Sequence, residues 1–151
     1  PLMTVAVFIV PSFWVCILVS AVVGIFLRKF VYFAFPGEEC GRRTLFAVAF
    51  SMASVWLSLL LSQNPDYTNP VIHSHAGFPL RAFLYSYSLP ADTDQFLRFA
   101  VNYIFWLAIG IGIGFCFPRR VILSKYFPGV AWAITVACIV TGIINFLILF
   151  D

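Results

Sequence analysis

The sequence predicts an all-α integral membrane protein: four transmembrane helices forming two antiparallel hairpins, with a long ordered outer loop between the second and third helices. Three observations carry this. The 151 residues are 62% hydrophobic and only 10% charged, against about 45–50% apolar and about 25% charged in a soluble domain. All nine Lys and Arg and all six Asp and Glu fall outside four uncharged stretches, 1–27, 44–65, 99–118 and 126–150. Each stretch approaches or exceeds the roughly 20 residues with which a helix crosses about 30 Å of hydrocarbon. The strict alternation of barrel strands is absent, and lipid offers backbone N–H and C=O groups no partner, so the spans must be helices.

The chain reads as a single membrane domain, 1–151. The first span covers about 4–35. It has no basic leader and continues into Arg28-Lys29, which marks a retained helix rather than a cleaved signal. Pro11 is expected to bend it and Pro36-Gly37 to stop it. Residues 37–41 read as a tight turn before a second span over about 42–62, ended by Asn64-Pro65. The third span, about 93–117, starts at a capping-box-like pair, Asp92 with Gln95, and carries Asp94 and Arg98 one turn apart. The fourth, about 128–150, opens at Pro128, a favoured first-turn residue. A Phe-Pro-Gly shared by 35–37 and 127–129 hints at a duplicated hairpin without establishing a repeat.

Basic residues set the expected orientation. Arg28, Lys29, Arg42 and Arg43 follow the first span, and Arg119, Arg120 and Lys125 follow the third. The central connection has only Arg81 and Arg98 beside Asp66, Asp92 and Asp94. Positive-inside logic places the basic loops in the cytoplasm, with both termini and the loop over about 63–91 outside a plasma membrane. The net charge of +3 follows from that bias, and no basic run longer than a pair suggests nucleic acid. The four cysteines, Cys16, Cys40, Cys116 and Cys138, form no Cys-x-x-Cys motif, and none lies in the outer loop. That pattern argues against a disulfide framework or a dithiol oxidoreductase.

Helices associate in lipid through close packing and hydrogen bonds. Ser51, Ser54 and Ser58 belong to a stripe of mostly small residues on the second span, expected to be a packing seam; as an alternative it lines a passive pore or a small-molecule or lipid site. Counting from a turn near Glu39 sets Ser58 level with Ser20 and Ser54 with Gly24. Gly110 and Gly114 on the third span have the small-x-x-x-small spacing of close helix approach, and Gly-x-Gly-x-Gly inside a span is no nucleotide loop. Asn102 and Asn145 fall at one depth and are expected to bond across the second hairpin. None of the four uncharged stretches contains Asp, Glu, His, Lys or Arg, which disfavours an ion-coupled transporter.

The outer loop exceeds the usual 2–8 residues between bundle helices, and its aromatic content argues for order. Leu80, Phe83, Leu84 and Tyr87 have helical spacing behind Pro79, while Phe83, Tyr85, Tyr87 and Leu89 alternate like a strand. A short interfacial helix from Pro79 to about Tyr85 is the favoured expectation, with Arg81 near lipid phosphates and Phe78, Phe83, Tyr85 and Tyr87 forming a membrane-surface contact. Both histidines, His73 and His75, lie here. Two ligands do not complete a metal site, so no cofactor is expected, and an outer-face metal on this pair is a second alternative. Ser74 beside His75 lacks an orienting acid and an oxyanion hole, so no catalytic constellation is found.

The phrase "HAGFPLRAFLYSY", followed by "NYIFW" in the third span, resembles small prokaryotic polytopic membrane proteins that carry a Gly-Phe-Pro-aromatic outer loop. The resemblance runs from Gly77 to Trp106, about one fifth of the chain. It implies a prokaryotic plasma membrane and carries no activity or site residue with it. The functional expectation is a non-catalytic integral subunit or assembly module of a membrane complex. Its partners are the bilayer and other membrane subunits or copies of itself.

Overall fold

The computed structural model describes residues 2–35, 37–60, 74–80, 83–85 and 93–150. Their order is α1 (Leu2–Ala34), α2 (Glu38–Leu57), a 3-10 turn (Ser58–Leu60), β1 (Ser74–Ala76), β2 (Phe83–Tyr85), α3 (Thr93–Cys116), α4 (Arg119–Ile122) and α5 (Phe127–Phe150). Among the described residues, three helices are long and apolar enough to cross a membrane, over Ile9–Phe26, Asp94–Cys116 and Phe127–Asn145. α2 is set apart by the charges of its first turns and by its position, because α1, α3 and α5 all pack on it.

The expected turn over 37–41 is corrected. Gly37 alone takes the left-handed conformation (φ 78°), and α2 begins at once with Glu38 and Glu39. Acidic residues complement the positive end of a helix, and each finds an arginine four residues on: Glu38 pairs with Arg42 at 2.6 Å and Glu39 with Arg43 at 2.7 Å. The second Phe-Pro-Gly instead forms the first three residues of α5.

The core forms where α1, α2 and α3 meet. Trp56 is buried between Phe13, stacked at 4.9 Å, and Phe99, edge-on at 5.8 Å. Cys16, Ala47, Val55, Tyr103 and Leu107 complete the cluster. Tyr103 is fully buried, and its hydroxyl shares a 2.5 Å hydrogen bond with Ser20 and lies beside Ser51. Ser20 therefore shares its level with Ser51 rather than with Ser58, because α2 begins at Glu38, directly after Gly37.

Glycines set the approach of α3 to α2. A Cβ on Gly110 would lie 2.9 Å from the Ala47 carbonyl oxygen, and one on Gly114 would lie 3.4 Å from the Phe46 ring. Gly112, between them, points into open space. α5 packs on α2 by similar means: Gly142 sits against the Trp56 backbone, and Thr135 donates to Ala131 O of its own helix and to Ala49 O of α2. The principal contacts of α3 and α5 are thus both with α2. This replaces the expected packing of the third and fourth spans on one another, because α2 meets Gly110 and Gly114 of α3 on one side and Thr135 and Gly142 of α5 on another.

Candidate functional site

At the loop end, a short antiparallel β-hairpin sets Ser74 opposite Tyr85, His75 opposite Leu84 and Ala76 opposite Phe83. The expected interfacial helix over Pro79–Tyr85 is overturned: the period-2 reading of Phe83 and Tyr85 prevails, and β1 supplies the pairing partner that sequence spacing does not reveal. His73, Arg81 and Tyr87 lie outside the described residues, and His75, Phe83 and Tyr85 are placed by strand pairing alone. Among the described residues, no group of three or more His, Cys, Asp or Glu gathers as metal ligands.

Between the strands, residues 78–80 are fastened to α3. The Asn102 side chain accepts from Leu80 N–H at 2.8 Å and donates to Leu80 C=O at 2.7 Å, as a neighbouring strand would. The Trp106 indole donates to Phe78 C=O at 3.1 Å, and the Phe78 ring packs against Phe105 and Trp106. This corrects the expected bond between Asn102 and Asn145, since the Asn102 amide pairs with the Leu80 peptide instead. Asn102 lies about 14 Å, and Trp106 about 20 Å, along α3 from its start. The loop backbone therefore runs beside the apolar length of the helix. Non-helical backbone beside an apolar span requires internal partners. Asn102 and Trp106 provide them, while Phe78 and Leu80 keep their side chains on the surface.

The opposite end holds a charged cluster that the sequence reading missed. Arg43 is 7% exposed. Its guanidinium donates twice to Glu39 Oε1, at 3.0 and 2.7 Å, and also to the carbonyls of Gly114, Phe115 and Phe117. Those carbonyls end α3, where four C=O groups have no intrahelical partner and the helix dipole is negative. The Phe35 ring covers the guanidinium carbon at 4.0 Å, a cation–π contact. Glu39 Oε2 receives Arg119 Nε at 3.1 Å. Arg42 joins Glu38 to the Ile122 and Ser124 carbonyls. The signal was present as Glu-Glu-Cys-Gly-Arg-Arg, two Glu-to-Arg pairs at i, i+4.

The serine stripe is interior. Ser51 and Ser58 are buried and Ser54 is half-buried; the Ser51 and Ser58 hydroxyls donate to Val48 and Val55 carbonyls of their own helix. α5 presents a second small-residue row directed away from α2. Gly129, Ala133, Ala137 and Thr141 are all exposed. At four-residue spacing they form one slightly drifting line about 18 Å long, on the side opposite Thr135 and Gly142. Thr141 Oγ1 satisfies itself on Ala137 C=O. Family models, curated proteins and solved structures yield no match to the chain, so the functional reading rests on this geometry.

Proposed function

We propose that the chain is a non-catalytic integral membrane subunit, an assembly module whose open α5 face receives a transmembrane helix of a second copy or of another membrane chain. α2 crosses the bilayer with α1, α3 and α5, giving four spans, and α1 and α2 form an antiparallel hairpin. The basic connections face the cytoplasm of a plasma membrane and the β-hairpin faces outside, as positive charge near the span ends favours.

The row Gly129, Ala133, Ala137 and Thr141 carries this reading. Lipid tails are as apolar as leucine, so association in the bilayer favours places where backbones approach closely, and small residues four apart permit that. α5 already uses Gly142 in this way against α2, and its other small row is exposed among the described residues. Chemical cross-linking in native membranes and sedimentation in mild detergent test the proposal. Ala133→Leu and Ala137→Leu should each shift the protein toward monomer or release its partner, while Ile134→Leu on the same helix leaves the distribution unchanged. A monomeric wild-type chain without a cross-linked partner would refute it.

A further inference from the structure

We propose that the groove between α1 and α2 at the basic end binds the phosphate headgroup of an anionic phospholipid. The groove encloses about 460 Å³ and is lined by Gly24 and Arg28 of α1, Gly37 of the turn, and Cys40, Gly41 and Thr44 of α2. That volume falls within the roughly 300–1,000 Å³ of small-ligand sites. Three of the six lining residues are glycines, and a Cβ on any of them would meet nothing within 4 Å. Among the described residues the walls are therefore largely backbone, and no side chain fills the space.

Charge selects the occupant. Arg28 is exposed, and among the described residues no carboxylate pairs with it. The two acidic residues at the start of α2 are engaged elsewhere, Glu38 by Arg42 and Glu39 by Arg43 and Arg119. The groove thus keeps an uncompensated guanidinium, whose fork matches phosphate in a bidentate manner. Depth selects a lipid over a soluble anion. The apolar window of α1 ends at Phe26, just before Arg28, which sets the guanidinium at the boundary between hydrocarbon and headgroups. Ile25 and Phe26, each 65% exposed, offer acyl chains an apolar surface beside the cation.

The test is native mass spectrometry of the delipidated full chain, exposed in turn to phosphatidylglycerol and phosphatidylcholine of matched acyl chains. Phosphatidylglycerol should be retained preferentially. Arg28→Gln should lower that retention about tenfold, the scale of one lost charge-assisted hydrogen bond. Gly41→Leu and Gly24→Leu fill the groove without changing charge and should lower it comparably in protein that elutes as wild type on gel filtration. Lys29→Gln, whose side chain does not line the groove, should leave retention unchanged. Four results would each overturn the site: equal retention of phosphatidylcholine, equal losses for Lys29→Gln and Arg28→Gln, wild-type retention in both glycine variants, or displacement of the lipid by inorganic phosphate.

Discussion

Replacing Arg43 by Met tests whether the basic-end cluster holds α2 and α3 together. The change leaves the Glu39 carboxylate, whose side chain is 10% exposed, with Arg119 alone, and that arginine is 76% exposed. It also strips donors from the Gly114, Phe115 and Phe117 carbonyls. Removing one partner of a buried pair costs about 3–5 kcal/mol, whereas a solvent-exposed pair contributes about 0–1 kcal/mol. Arg119 therefore cannot compensate, and Arg43→Met should destabilise by about 3–5 kcal/mol. Adding Glu39→Leu removes the stranded charge, so the double variant should recover about 1–3 kcal/mol relative to Arg43→Met alone, the usual coupling range of contacting residues. Arg43→Lys keeps the charge but loses the planar fork and should fall between wild type and Arg43→Met. Glu38→Gln, at a carboxylate 71% exposed, should change stability by no more than about 0.5 kcal/mol. Equilibrium unfolding in mixed micelles, followed by tryptophan fluorescence, measures all of these. If Arg43→Met fell within about 0.5 kcal/mol of wild type, the scatter of a surface substitution, or the double variant proved no more stable than Arg43→Met, the assignment would fail.

Two further predictions follow from the glycines and from the loop. Gly110→Ala forces a Cβ to 2.9 Å from a backbone oxygen and should cost about 1–3 kcal/mol, while Gly112→Ala, one turn-face away in open space, should be neutral or stabilise by up to about 1 kcal/mol; the same unfolding assay separates them. Asn102→Leu strands both polar groups of the Leu80 peptide beside an apolar helix at about 1–3 kcal/mol for each. The loop should then leave α3, and a cysteine introduced at Leu80 should react faster with a water-soluble maleimide in that variant than in the Asn102 background. Equal rates would show that the side-chain clasp does not hold the loop.

The sequence made the helical class and the helix bounds legible because both depend on local properties. Charges bracket the apolar runs, and Pro and Gly punctuate them, so the expected ends of the first, third and fourth spans lie within a few residues of α1, α3 and α5. The neighbours were not legible in the same way. Depth counting treats each connection as a symmetric bend, yet α2 starts directly after Gly37, and α4 intervenes before α5. Asn102 illustrates the consequence: its depth suggested another asparagine, while its partner is a peptide of the loop, contributed by a segment whose register no local pattern specifies. Glu39 and Arg43 were read as orientation charges alone, because their joint burial depends on the end of α3 arriving opposite them.

The strengths of these contacts rank the helices by how firmly each is held. α3 is tied to α2 at one end by the Arg43 fork and next to it by the close fit of Gly110 and Gly114 against Ala47 and Phe46. Breaking that interface means stranding a buried charge. Among the described residues, no ion pair joins α5 to α2. Thr135 bonds to Ala49 C=O, a contact of about 0.6–2 kcal/mol in membranes, beside the close approach at Gly142 and the Phe127–Phe46 ring contact. The proposed docking of a partner helix on the outward row of α5 uses a face separate from the one that meets α2. That separation predicts that Ala137→Leu acts on assembly while the α2–α3 core, secured by its own charges, stays folded.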